Sequence, residues 1–290
     1  MSIGIVVDSA SDLPDEVVRA AGIEIVPLKV RIDDQEYIDG VTLTRDEFWT
    51  KSAASSSLPQ TSAPSPGEFE QRFRSLIDQG TTQIICVTLS SELSATYHNA
   101  ILGAQRCQDA RIAVLDSRTV SIAEGVIALE IAKRAAAGVE FDHLVSMANR
   151  FPNRSRTFGT LDTLENLKKG GRIGSAQALL GSLLSFKPVI EVANGTVQAE
   201  SRQRTRVRST NYLIDKVASF KPVTHVAVIH AMAPDAEEFA RELKERCNLD
   251  DLLMATVGSI IGTHAGPRVL GATFWTEDPL DDFNNEGRAR

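Results

Sequence analysis

Cysteine is scarce in this 290-residue sequence: Cys86, Cys107 and Cys247 form an odd, widely spaced set. There is no CxxC pair and no Cys/His cluster, which argues against a disulfide framework and a zinc site. Positive charge is also in deficit, with 31 Lys and Arg against 38 Asp and Glu, for a net charge of −7. Nonspecific nucleic-acid binding needs a basic face, so that class is disfavoured, although a local basic patch is not. No apolar run approaches the roughly 18 residues of a membrane span. The first eleven residues lack a basic region and soon meet Asp8, so no signal peptide is expected and a reducing cytoplasm is the expected compartment. The Walker A pattern, GxGxxG and HExxH are absent. Nucleotide-dependent chemistry within this chain therefore has no support.

What is present is ordinary globular composition, 42% hydrophobic and 24% charged, which excludes disordered and collagen-like classes. The length suits one large or two medium domains. Residues 3–7 (IGIVV) form a short apolar run of the kind that makes a buried parallel strand. A helix is expected after it, with Asp12 as its cap. A second strand is expected over 23–32 and a helix over 42–51 capped by Thr44. The Ser/Pro-rich stretch 52–66 is either a linker or an ordered functional loop. Alternation then resumes: helix 67–79, strand 83–89, a helix to about 106, strand 112–115 and helix 121–137. Such alternation predicts an α/β fold, a three-layer α/β/α unit on a parallel sheet. Three strands end in Asp8-Ser9, Ser90-Ser91 and Asp116-Ser117, and ligands bind beyond the carboxyl ends of strands in such sheets.

After about residue 150 the pattern changes. Strand 156–161, a helix around 174–184, strand 188–192, the hairpin signal Asn194-Gly195 and strand 196–203 follow. A helix near 207–219, strand 223–230, helix 235–246 and strands near 252–261 and 270–276 complete the fold. The expected organisation is an N-terminal domain over 1–155, a smaller C-terminal α+β domain with a mixed sheet over 156–284, and a polar tail over 285–290.

Several polar groups stand out. Thr61 and Ser62 lie on a proline-stiffened loop, which reads equally as a solvated turn. Ser90 to Thr96 places hydroxyls where a strand turns into a helix, either an anion site or an ordinary cap. No GxSxG elbow surrounds these serines. Arg172 follows two glycines, where a guanidinium pairs with an anion or simply trails a helix end. His264 lies between glycines on an expected loop. Arg202, Arg204, Arg206 and Arg208 would share one face of an extended chain, as a partner surface or a solvated edge. A hydrolase or acyltransferase using Ser94 and His264, with Asp8 or Asp116 orienting the base, is the competing reading.

Together the segments VDSASDLP (7–14), TSAPS (61–65), LSSELSATYHNA (89–100), VLDSRTVS (114–121), LDTLENLKKGGRI (161–173) and GTHAGP (262–267), with the Lys187-to-Arg204 spacing between the last two, resemble the bacterial DegV family of fatty-acid-binding proteins. The resemblance implies an α/β N-terminal domain, a smaller C-terminal domain with a mixed sheet, and one long-chain fatty acid held between them without a cofactor. It implies Thr61 and Ser94 at the carboxylate, His264 near the head group, and Ser62 beside Thr61. Arg172 would belong to the surrounding polar network or to the partner contact. The implied partner is an ATP-dependent fatty acid kinase; the positive stripe on an acidic protein makes Arg204 and Arg206 the expected contact with it. The chain itself would then be a carrier, not an enzyme. Two positions depart from the family pattern: Ala95 and Arg268 stand where the family usually has glycine. The tunnel wall is expected from helices 121–137 and 174–184.

Overall fold

The computed structural model describes residues 3–180 and 186–277. It opens with β1 (Ile3–Asp8), a 3₁₀ turn at Ser9–Ser11, α1 (Asp15–Ala21) and β2 (Ile23–Val26). Asp12 does not cap α1. It sits in the left-handed region at the end of the 3₁₀ turn, and the helix starts after Pro14. The single strand expected over 23–32 is two strands, because Pro27 has no N–H to continue the ladder. Its second half, β3 (Lys29–Ile32), joins β4 (Gln35–Ile38) and, after α2 (Arg45–Ala54), β5 (Gln60–Ser62) in a separate antiparallel sheet. Thr44 caps α2 in a reciprocal capping box with Glu47. The Ser/Pro-rich stretch is thus ordered, ending in β5 and in Ser65, which caps α3 (Pro66–Asp78).

β6 (Gln83–Thr88), α4 (Thr96–Ala104) and β7 (Arg111–Asp116) complete a four-stranded parallel sheet in the order β2-β1-β6-β7. Alternate residues of β1 point to opposite faces. Val6 packs with Phe69 and Phe73 of α3, while Ile5 and Val7 join the core that contains α5 (Ile122–Ala136). That is a three-layer α/β/α arrangement. α5 touches β1 and β6, and on its other side the second sheet. Ten of its fifteen residues are buried, Glu124 and Glu130 among them, as expected of a helix enclosed all round.

α6 (Phe141–Ala148), unforeseen in the sequence, leads to the second half: β8 (Ser155–Thr160), α7 (Glu165–Lys169), β9 (Lys187–Ala193), β10 (Thr196–Gln203), α8 (Arg206–Ala218), β11 (Val223–His230), α9 (Ala236–Cys247), β12 (Leu253–Thr256), α10 (Ser259–Ala265) and β13 (Leu270–Thr276). Their sheet has the order β10-β9-β8-β13-β11-β12 and mixed orientation, only β11 and β12 running parallel. α8 and α9 cover one face through Leu213, Phe239 and Leu243 against Phe158 and Phe274. The other face turns toward the N-terminal half.

Two expectations fail here. Gly174–Leu179 is 3₁₀ rather than the start of an α-helix, and residues 181–185 of the expected helix lie outside the described residues, as does the expected polar tail. The expected strand over 252–261 ends at Thr256, and α10 follows.

Candidate functional site

A cavity of about 230 Å³ lies where the two halves meet. Its N-terminal lining includes Leu28, Leu89, Leu93 and Val120, and its C-terminal lining Ile190, Val192, Ile229, Val257 and Val269. Neither helix 121–137, beyond Ser121 at its cap, nor the described part of 174–184 lines it, contrary to expectation. The β-branched face of the second sheet and Ile260 and Ile261 of α10 line it instead.

One end is polar, and the residues singled out in the sequence meet there: Thr61, Ser62, Ser94, Arg172 and His264 all line the cavity. β5 positions Thr61, whose partner in register is Val30 of β3. Ser94 ends the turn after β6, immediately before α4. That turn is clamped from the other half, since Ser90 Oγ donates to the Gly195 carbonyl at the hairpin tip (2.7 Å) and Arg172 Nε donates to the Leu93 carbonyl (3.0 Å). Arg172 Nη1 donates to the Gly170 carbonyl (2.8 Å). Ala95 has right-handed helical torsions, so the glycine usual in the family is not required there. Arg268 has φ +61°, the left-handed region that favours glycine, and pairs with Asp162 at 3.5 Å.

His264 is on the last turn of α10, not on a loop. Its Nε2 lies 2.9 Å from Thr61 Oγ1, while its buried Nδ1 has no partner. A Cβ on Gly170 would come within 2.4 Å of that nitrogen, so only glycine admits the ring. Burial, and then the charge of Arg172, push the imidazole pKa down to about 4. The ring is therefore neutral near pH 7. An orphaned buried N–H is the rarer and costlier defect, so the proton is assigned to Nε2, which donates to Thr61. The Thr61 hydroxyl then keeps its own proton for the cavity. Ser94 is arranged alike: its Oγ accepts from the Thr96 amide (3.3 Å) and lies 2.8 Å from Thr96 Oγ1. With the Thr96 hydroxyl donating, the Ser94 proton is also free. Two such donors beside a guanidinium suit a carboxylate.

The catalytic triad of the competing reading does not assemble. His264 pairs with Thr61 rather than Ser94. Asp8 accepts from the Ala10 and Leu89 amides, and Asp116 from Ser91 and Arg118. Neither carboxylate orients the imidazole. Among the described residues no group of three or more His, Cys, Asp or Glu is placed to hold a metal ion, and no helix is long and apolar enough to cross a membrane.

The arginine stripe does not form either. Thr205 caps α8, so Arg206 and Arg208 are helical rather than extended. Arg206 is committed to Asp235 in a two-pronged pair (2.7 and 2.9 Å). Arg202 bonds the Ala178 carbonyl, and Arg204 is exposed.

Sequence reasoning missed a second layer behind the cavity. The Asp12 carboxylate accepts from the Ser121 hydroxyl and from the Gly258 amide (2.8 Å) at the start of α10. Asp39 accepts from the Ser259 hydroxyl (2.6 Å). Burial pushes the carboxyl pKa of Asp8 and of Asp12 up to about 7, and it raises those of Asp39 and Glu124. The signals available were Asp8 and Asp12 in VDSASDLP and Glu124 within the apolar run IAEGVIALEIA.

The model of the DegV family of uncharacterised proteins matches residues 2–277. A DegV domain-containing protein of Streptomyces coelicolor is 34% identical over 277 residues, covering 93% of this chain and 96% of its own. Among solved structures, a fatty-acid-binding DegV family protein from Thermus thermophilus superposes with a TM-score of 0.88 at 27% identity, covering 95% of this chain and all of its own. A stearic acid-binding protein from Eubacterium ventriosum also gives 0.88, at 28% identity, covering 95% and 98%.

Proposed function

The chain belongs to the DegV family, and on that premise we propose that it binds one long-chain fatty acid between a domain of residues 1–155 and a domain of residues 156–284, and presents the carboxyl group to a separate ATP-dependent fatty acid kinase. The observation that carries the reading is one continuous cavity that joins an apolar lining to Thr61, Ser94, Arg172 and a neutral His264. Fatty acid binding by the solved relatives supports it. A 16-carbon tail gains roughly 12 kcal/mol gross at about 0.8 kcal/mol per buried CH₂, before the ordering costs of association are subtracted. The tail thus dominates affinity and the polar end fixes orientation. The protein acts as a carrier in the cytoplasm and needs no cofactor of its own; three unbridged, buried cysteines fit that compartment. Native mass spectrometry of purified protein should show one bound mass that denaturing extraction identifies as a fatty acid. Protein that refuses added fatty acid in titration would defeat the reading.

The kinase step needs access to the head group. Arg172 borders it, and the exposed Arg204 offers the kinase a positive contact on an acidic protein, where complementary charge speeds and orients encounter. Arg206 is occupied by Asp235 and contributes through the fold of that surface. Arg204→Glu should leave fatty acid affinity unchanged and slow acyl phosphate formation with the kinase several-fold at low salt. The wild-type rate should itself fall as salt rises. Equal rates for both proteins at low salt would remove Arg204 from the contact.

A further inference from the structure

Two glycines face each other in the floor of the cavity, and the backbone explains only one of them. Gly159 of β8 stands directly opposite Gly271 of β13, in the two central strands of the six-stranded sheet. Ile190 of β9 is opposite Gly159 on one side, and Ile229 of β11 is opposite Gly271 on the other. Residues directly opposite share a face, and all four line the cavity. The row Ile190–Gly159–Gly271–Ile229 is therefore a trough two strands wide between isoleucine walls.

A Cβ on Gly271 would lie 2.3 Å from the Phe158 carbonyl oxygen, so the approach of the neighbouring backbone demands glycine there. A Cβ on Gly159 would meet nothing nearer than the Leu270 carbonyl oxygen at 3.7 Å and Val269 Cγ2 at 3.9 Å, both ordinary contacts. Gly159 is also not among the positive-φ glycines. Glycine within a strand weakens it, and it marks places where another backbone or a ligand comes close. Gly271 is the first case. Gly159 stays only half-buried in the middle of the sheet, with the cavity above it.

We propose that Gly159 is a specificity-determining residue, whose missing side chain leaves the space that a long acyl chain occupies over the sheet; the inference rests on the fatty acid reading above. A side chain at 159 would project into the trough between Ile190 and Ile229 and shorten the run open to the tail.

The test compares wild type, Gly159→Leu and Gly159→Ala in titrations with saturated acids of 10 to 18 carbons, alongside thermal unfolding. Each methylene kept out of the cavity should cost roughly fourfold in affinity. Gly159→Leu should therefore weaken binding of the 18-carbon acid on the order of a hundredfold, and that of the 10-carbon acid by no more than about threefold. Gly159→Ala should shift the length profile in the same direction by a few-fold and leave the melting temperature unchanged or raised, since glycine is the poorer strand former. Folded variants that keep the wild-type profile would overturn the inference, and so would a loss of stability in Gly159→Ala. If the Leu variant does not fold, the Ala variant decides. Wild type that binds none of the acids would overturn the fatty acid reading itself, and the inference with it.

Discussion

The double variant Thr61→Val, Ser94→Ala should bind fatty acid on the order of a hundredfold or more weaker than wild type and melt within a few degrees of it. Hydrogen bonds to a charged group contribute about 1.5–3 kcal/mol each, and 1.4 kcal/mol is tenfold in affinity. With the His264 ring donating to Thr61 and the Thr96 hydroxyl to Ser94, each of the two hydroxyls has its own proton left for a carboxylate. Valine keeps the shape of threonine while removing that proton, and neither residue lies in the fully buried core. The apolar lining is untouched, so residual binding should persist and should still strengthen with chain length. Isothermal or fluorescence titration gives the affinity and circular dichroism the melting temperature. Unchanged affinity in a folded double variant would take these hydroxyls out of the site.

His264→Gln offers an internal control on the same geometry. A glutamine amide can also hydrogen-bond the Thr61 hydroxyl, so His264→Gln should retain more fatty acid affinity than His264→Ala, and equal losses in the two folded variants would take the ring's bond to Thr61 out of the head-group site.

The head group was legible in the sequence only as scattered motifs. Thr61 and His264 are 203 residues apart and meet at 2.9 Å, a contact that no local spacing encodes. The resemblance to a family joined them. The parallel strands were legible because buried strands are unbroken apolar runs, and the break at Pro27 follows from a local rule. α10 was not legible. Ser259-Ile260-Ile261-Gly262-Thr263 is rich in β-branched residues and contains glycine, a poor helix composition. Its start is imposed from outside, by Asp12 on the Gly258 amide and Asp39 on the Ser259 hydroxyl. The arginine stripe failed for the converse reason: spacing of two implies a shared face only in an extended chain, and Thr205 begins a helix in its midst. The cavity floor was hidden because a row such as Ile190–Gly159–Gly271–Ile229 exists only once strand register is known.

Raising the pH from 6.5 to 8 should destabilise the protein by on the order of 2 kcal/mol, a direction opposite to ordinary acid unfolding. Asp8 and Asp12 are fully buried, and burial lifts each from 3.8 in the open chain to about 7. Between those values the folded state holds protons that the unfolded state has released. The stabilisation is therefore complete below about pH 4 and is lost as the pH rises through 7. Over the stated window each carboxyl accounts for about 1 kcal/mol, at 1.36 kcal/mol per proton per pH unit. Groups shifted the other way act elsewhere. Glu130 and Asp235 titrate below the usual carboxylate range, so their stabilisation fails only in acid. His230 and His264 are depressed by burial, so their contribution rises with pH and is complete within about one unit above the open-chain histidine value of 6.5. A decline between 6.5 and 8 is thus the mark of the buried acids, with Asp39 and Glu124 adding to it in the same direction. Urea unfolding at half-unit steps should show the decline in wild type, and Asp12→Asn, which cannot ionise, should reduce it by about 1 kcal/mol. Stability that is level or rising across this interval in wild type would show that these carboxyls are already ionised in the fold. The consequence reaches the site, because Asp12 ties Ser121 in the cavity wall to the Gly258 amide at the start of the helix that carries His264.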